Sequence, residues 1–176
     1  MAPAHGLVWR KDPDRIISLY KYWATLATEP AGLGVTALYG TMYRNTERTL
    51  DDALQAIAEE GVPIEVFNVG LIDPSFILPS LWTKRGVLVA SPTYERAMFP
   101  AMVRVLNFAS IKGVRNKKAA YLGSYAWSGG AREVFEDYAT KLNWEVVGTH
   151  QFTGSAKAED SQKIRELSQQ LALTSK

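Results

Sequence analysis

A chain of 176 residues that is 47% apolar has the material for one sizeable hydrophobic core. Its 20 basic and 18 acidic residues are scattered, leaving a formal net charge of +2 and no basic stripe, which argues against nucleic acid as a partner. The absence of cysteine excludes a disulfide, a thiol nucleophile and a cysteine-held iron–sulfur cluster, so any electron-transfer role needs a bound organic cofactor. No apolar run approaches the roughly twenty residues of a membrane span, and Met1-Ala2-Pro3-Ala4 lacks the character of a signal peptide; a soluble, cytoplasmic chain is expected.

Residues 1–11 carry no periodicity. Asp12 and Pro13 then open a helix with proline at its first position, and Ile16, Leu19, Tyr20, Trp23 and Leu26 recur at helical spacing until E-P-A-G-L-G from Glu29 breaks it. Residues 35–39 are short and apolar, as in a strand buried on both faces. Residues 46–60 read as an amphipathic helix burying Leu50, Leu54 and Ile57 and stopped by Gly61. Residues 64–69 alternate as an edge strand does, Asp73 and Pro74 start a short helix to Leu81, and residues 87–91, 119–123 and 145–152 read as further strands. Helices over 98–111, over 129–142 with Ser128 as cap, and over 158–173 complete the pattern. This alternation implies an α/β fold with a parallel sheet and right-handed crossovers.

The turn after the first strand, G-T-M-Y-R-N-T-E from Gly40, is rich in hydroxyl and amide groups. Thr41, Asn45 and Thr46 offer donors, and the following helix presents unpaired backbone N–H groups at its positive end, where a dianion fits. Neither G-x-G-x-x-G nor a Walker lysine–threonine pair is present, which favours a small monophosphate over a pyrophosphate or triphosphate. The same residues also suit a plain strand–turn–helix capped at Asn45 or Thr46. Two later loops of the same kind tilt the balance: S-P-T-Y-E-R-A-M-F-P from Ser91 and G-S-Y-A-W-S-G-G-A from Gly123.

In this order and spacing, T-M-Y-R-N-T-E, S-P-T-Y-x-x-x-M-F-P and G-S-Y-x-W-S-G-G-A resemble the three flavin-binding loops of the flavodoxin-like domain of flavodiiron proteins, also called A-type flavoproteins. The match runs from about His5 to the last helix. It implies a doubly wound five-stranded parallel sheet in the order 2-1-3-4-5 with an extra N-terminal helix, the three loops meeting at the topological switch point. It also implies FMN as cofactor. Thr41, Asn45 and Thr46, with backbone N–H groups of Met42, Tyr43 and Arg44, would hold the phosphate. Pro92, Thr93, Tyr94 and Glu95 would line the pyrimidine, ribityl chain and ring. Ser124, Tyr125, Ala126 and Trp127 would meet the pyrimidine end and ring, before Ser128, Gly129 and Gly130 let the backbone approach closely.

Two positions depart from the family. Glycine is usual where Arg44 stands; if φ > 0 is needed there, arginine costs about 1 kcal/mol, which it offsets by facing the phosphate unless it points to solvent. Asparagine is common where Glu95 stands; a carboxylate near the reduced ring disfavours its anion, unless it turns outward. Met98, Phe99 and Pro100 read as helix-start packing, and Trp127, in a loop beside glycines, as a ring contact.

The segment A-P-A-H-G-L-V-W-R resembles the exit from a metallo-β-lactamase-like diiron domain. Residues 1–30 are accordingly expected to be a linker and leading helix from a diiron domain outside this chain, and residues 31–176 the FMN-binding domain. His5 falls where the family has its last iron-ligating histidine; with His150 as the only other histidine, no metal site is expected here. The implied function is the electron-transfer domain of a flavodiiron oxygen or nitric oxide reductase, with no catalytic side chain of its own. It would take electrons from rubredoxin or an NADH-dependent reductase and pass them to the diiron site of a partner subunit in a head-to-tail homodimer. Two other readings share the sequence pattern: an NAD(P)H-dependent quinone or flavin reductase, which needs a nicotinamide pocket, and a flavin-free phosphate-binding or interaction module.

Overall fold

The computed structural model describes residues 1–26 and 31–176, and the chain divides into two compact units, Met1–Pro30 and Ala31–Lys176. In the first, helix α1 (Pro13–Thr25) starts from Asp12, whose carboxylate accepts from the Arg15 amide at 3.2 Å. Ile16 is its buried residue, and Tyr20 meets Trp23 edge-on with ring centroids 5.3 Å apart. The predicted break at Glu29 and Pro30 lies outside the described residues.

The second unit contains strands β1 (Gly32–Tyr39), β2 (Ile64–Asn68), β3 (Lys84–Ala90), β4 (Thr93–Tyr94), β5 (Ala97–Met98), β6 (Lys118–Tyr125) and β7 (Glu145–Thr153). The five long ones pair in parallel in the order β2-β1-β3-β6-β7, which is the doubly wound flavodoxin-like order the sequence predicts. Helices α2 (Asn45–Glu59) and α6 (Ala158–Thr174) cover one face; α3 (Pro74–Thr83), α4 (Pro100–Ile111) and α5 (Ala131–Lys141) cover the other.

The central strands lack polar alternation because both their faces are covered. Along β3, Val87 and Val89 join the core under α3, α4 and α5, while Leu88 and Ala90 join the core under α2 and α6. In β6, Ala119 and Tyr121 face the first core, and Ala120 and Leu122 the second. One polar pair crosses the buried layer: Thr36 Oγ1 lies 2.8 Å from Ser80 Oγ, so neither hydroxyl is left without a partner. His150, at the β7 edge, places Nε2 2.9 Å from Asp160 Oδ1, and Asp160 also accepts from the Lys157 amide at 2.9 Å at the start of α6. Among the described residues no helix is long and apolar enough to cross a membrane.

The structure corrects several predicted boundaries. β6 runs through Ser124 and Tyr125, because β7 continues beside it as far as Thr153. The fourth helix starts at Pro100 rather than Met98, since Met98 pairs across a short antiparallel ladder with Thr93. Met98 is buried, in keeping with its predicted packing role. Arg44, not Asn45 or Thr46, is the N-cap of α2, and Gly130, not Ser128, the N-cap of α5; neither makes a side-chain cap bond.

Candidate functional site

Three loops leave the C-terminal edge of the sheet at β1, β3 and β6, where the strand order reverses, and they enclose a cavity of about 570 Å³. In open α/β sheets this edge is where ligands bind, because the diverging crossovers open a crevice there.

The first loop begins at Gly40. A Cβ on this residue would lie 2.5 Å from Phe99 Cδ1, so glycine is what lets the first loop pack on the end of the second. Arg44 has φ 66°, a left-handed conformation that glycine adopts at little cost and that costs arginine about 1 kcal/mol or more. Its Nε reaches Glu47 Oε2 at 3.1 Å and its side chain is 73% exposed, which favours the solvent-facing alternative. At the start of α2, Asn45 Oδ1 accepts from Ser155 Oγ at 2.9 Å, and Thr46 Oγ1 lies 3.4 Å from Ser124 Oγ. A small recess of the crevice is lined by Thr41, Met42, Tyr43, Asn45, Thr46, Pro92 and Ser124.

The second loop is a hairpin that the sequence does not reveal. Thr93 pairs with Met98 and Tyr94 with Ala97, leaving Glu95 (φ 47°) and Arg96 (φ 63°) as a two-residue turn with both φ positive. That geometry matches the right-handed strand twist and normally calls for Asn-Gly or Gly-Gly. The hairpin is anchored from below. Tyr121, fully buried, donates its hydroxyl to the Ser91 carbonyl at 2.9 Å, and burial pushes its phenol well above the usual range, so it stays a donor. Its ring leans along β6 over Gly123, where an added Cβ would fall 2.5 Å from Tyr121 Cζ.

The third loop follows β6. Gly130 (φ 138°) sits so close beneath the hairpin that a Cβ on it would lie 2.0 Å from the Arg96 carbonyl oxygen. Its lack of a side chain thus serves loop-to-loop packing. At Gly129 an added Cβ would meet only Gln151 Nε2, at 3.8 Å. Trp127 is 100% exposed, so its indole contributes nothing to the core.

Of the predicted residues, Met42, Tyr43, Asn45, Pro92, Thr93, Tyr94, Glu95, Ser124, Tyr125, Ala126, Trp127 and Ser128 line the main cavity, and Thr41 and Thr46 line the recess. Arg44, Gly129 and Gly130 line neither. Two residues of the main lining escaped the sequence reading: Arg96, the second hairpin turn residue, and Gly154, in the loop after β7, whose amide donates to the Tyr125 carbonyl at 2.8 Å. The T-G-S string at residues 153–155 is the available signal, and periodicity alone reads it as an ordinary connection.

Chemically, the crevice is polar in its recess and aromatic along its main body. Thr41 Oγ1 and Thr93 Oγ1 are buried without a hydrogen-bond partner among the described residues. Buried hydroxyls are rarely left so, and both belong to residues that line the crevice or its recess. In the recess stand hydroxyls, an amide and the first N–H groups of α2, with no lysine, arginine or carboxylate. Tyr94, Tyr125 and Trp127 offer flat apolar surface in the main cavity. A phosphate at one end and a planar ring at the other fit this arrangement. No group of three or more histidine, cysteine, aspartate or glutamate residues suited to a metal ion occurs among the described residues.

No family model matches the chain. The anaerobic nitric oxide reductase flavorubredoxin of Aeromonas hydrophila is 34% identical over 179 aligned residues, spanning 98% of this chain and 36% of that protein. Among solved structures, the flavodiiron protein from Giardia intestinalis superposes with a TM-score of 0.86 at 21% identity, over 98% of this chain and 43% of the other. Flavodoxin 1 from Bacillus cereus superposes with a TM-score of 0.70 at 18% identity over 80% of this chain and 97% of its own length, a likeness of fold. The chain spans about a third of the length of the curated flavorubredoxin it matches along nearly its whole extent. By these relationships and by its sheet order, the chain is a flavodoxin-like α/β domain similar to about a third of the flavorubredoxins it matches.

Proposed function

We propose that this chain binds one FMN in the crevice between its three loops and serves as an electron-transfer domain. The observation that carries the reading is the recess at the start of α2, where the buried, unpartnered Thr41 hydroxyl joins Asn45, Thr46 and Ser124 beside free helix N–H groups, continuous with an aromatic-lined cavity. FMN, when bound, supplies the redox chemistry. The protein's part is to orient it. The Thr41, Thr46 and Asn45 side chains hold the phosphate, Pro92, Thr93 and Ser124 order the middle of the ligand, and Tyr94, Tyr125 and Trp127 shield the ring from water.

In this reading residues 31–176 are the FMN-binding domain, and residues 1–30 lead into it from a diiron domain of a longer parent protein. The electrons come from rubredoxin or an NADH-dependent reductase and go to the diiron site of a partner subunit in the cytoplasm. The test is reconstitution followed by ultrafiltration: FMN should be retained at one equivalent per chain, and riboflavin, which lacks the phosphate, should wash out far more readily. Equal retention of both would refute the phosphate recess, and loss of both the function.

A further inference from the structure

The loop between β7 and α6 forms a fourth wall of the site, and it is tied down at three points. The Gly154 amide donates to the Tyr125 carbonyl at 2.8 Å, the Lys157 amide donates to Asp160 Oδ2 at 2.9 Å, and the Ser155 hydroxyl donates to Asn45 Oδ1 at 2.9 Å. The first contact fixes the loop to the end of β6 and the second to the first turn of α6. Ser155 is therefore held at a set place between two anchors, and its hydroxyl reaches back across the chain to the first residue of α2.

Asn45 lines both the recess and the main cavity. Its amide carries an acceptor oxygen at one end and two N–H donors at the other. A phosphate offers acceptors only, so Asn45 helps to bind it in just one of its two amide orientations. With Oδ1 committed to Ser155, the Nδ2 end is the one left for the ligand.

Resting on the FMN reading above, we propose that Ser155 is a positioning residue for phosphate recognition: its hydroxyl selects the Asn45 amide orientation whose N–H groups face the phosphate. Ser155 does not line the cavity itself, and it is exposed, so its replacement leaves the core intact. The effect is confined to ligands that carry a phosphate.

The experiment titrates FMN and riboflavin into the full chain and into Ser155→Ala, Ser155→Thr, Asn45→Ala and the Ser155→Ala/Asn45→Ala pair. Ser155→Ala should lose about five- to tenfold in FMN affinity, the range of one hydrogen bond to a charged group made less often, with riboflavin within about twofold. Ser155→Thr, which keeps a hydroxyl, should restore FMN binding. Because Ser155 acts through Asn45, the double variant should bind FMN no more weakly than Asn45→Ala alone. Unchanged FMN affinity in Ser155→Ala, equal losses for both ligands, or fully additive losses in the pair would overturn the proposal. A parent chain that binds no FMN would instead refute the function on which it rests.

Discussion

Gly130→Ala tests how the site is assembled, because it perturbs a contact between two loops at a residue that lines neither the cavity nor its recess. Gly130 has φ 138°, a conformation that side chains rarely adopt and that costs alanine about 1–3 kcal/mol. The added methyl would also begin 2.0 Å from the Arg96 carbonyl oxygen, so the hairpin carrying Thr93, Tyr94 and Glu95 must shift by about 1.5 Å to restore ordinary van der Waals contact. That hairpin already holds Glu95 and Arg96 at positive φ and has little latitude. The expected loss is about 2–4 kcal/mol of stability by urea unfolding, with FMN and riboflavin affinities falling together, since the ring end is what moves. Gly129→Ala is the control. Gly129 is outside the positive-φ set and its new methyl meets only Gln151 Nε2 at 3.8 Å, so the change should lie within about 0.5 kcal/mol of the parent. Equal stability of the two variants would refute the claim that Gly130 packs the third loop against the hairpin.

Thr41→Val removes a buried hydroxyl that has no partner among the described residues, so the ligand-free chain should unfold at equal or higher urea while FMN binds about tenfold more weakly and riboflavin is unaffected. Trp127→Ala should leave ligand-free stability within about 0.5 kcal/mol, since the indole is 100% exposed, yet weaken FMN by about 1–3 kcal/mol and restore part of its fluorescence in a binding titration. Lys117, buried beneath the opposite edge of the sheet, donates Nζ to the Trp82 and Lys84 carbonyls at 3.1 and 2.8 Å, and burial pulls its ammonium from 10.5 down to about 8. Between those values the unfolded chain holds a proton that the folded chain has released, so this group makes stability rise with pH across the window, by at most about 3 kcal/mol, and Lys117→Met should flatten the rise in urea unfolding.

The sheet was legible because its signal is collective. Val87, Leu88, Val89 and Ala90 form an apolar run without alternation, which only a strand covered on both faces sustains, and they divide between the two cores. What the sequence concealed depends on contacts between distant segments. The hairpin at Thr93–Tyr94 and Ala97–Met98 turns on Glu95 and Arg96, whose side chains give no hint of positive φ; the turn is held by Gly130 from the next loop and by Phe99, whose amide bonds to the Pro92 carbonyl at 3.3 Å. Gly130 was readable as a glycine that something must approach, but that the Arg96 carbonyl is what a side chain there would strike is not written in the local string. Ser155 belongs to the site only because the strand order brings the end of β7 beside β6 and α6 beside α2, a neighbourhood absent from the local string.

The electrostatics of the recess lead to a last expectation. Its lining carries no lysine or arginine, and Arg44, the one cation in the first loop, is spent on Glu47 at 3.1 Å. A phosphate dianion held there relies on hydroxyls, an amide and oriented helix N–H groups, all acting at contact distance. Such short contacts are screened far less than charge pairs across solvent. Raising the ionic strength from about 0.1 M to about 1 M, which shortens the Debye length from about 10 Å to about 3 Å, should weaken FMN binding by less than about threefold. Arg44→Ala should likewise cost less than about twofold, whereas Arg44→Gly, by relieving the left-handed φ of 66°, should add about 1 kcal/mol of stability in urea unfolding. A tenfold loss of FMN affinity with salt or on removing the guanidinium would mean that Arg44 leaves Glu47 for the phosphate, and would overturn the picture of a recess that binds its anion without a cation.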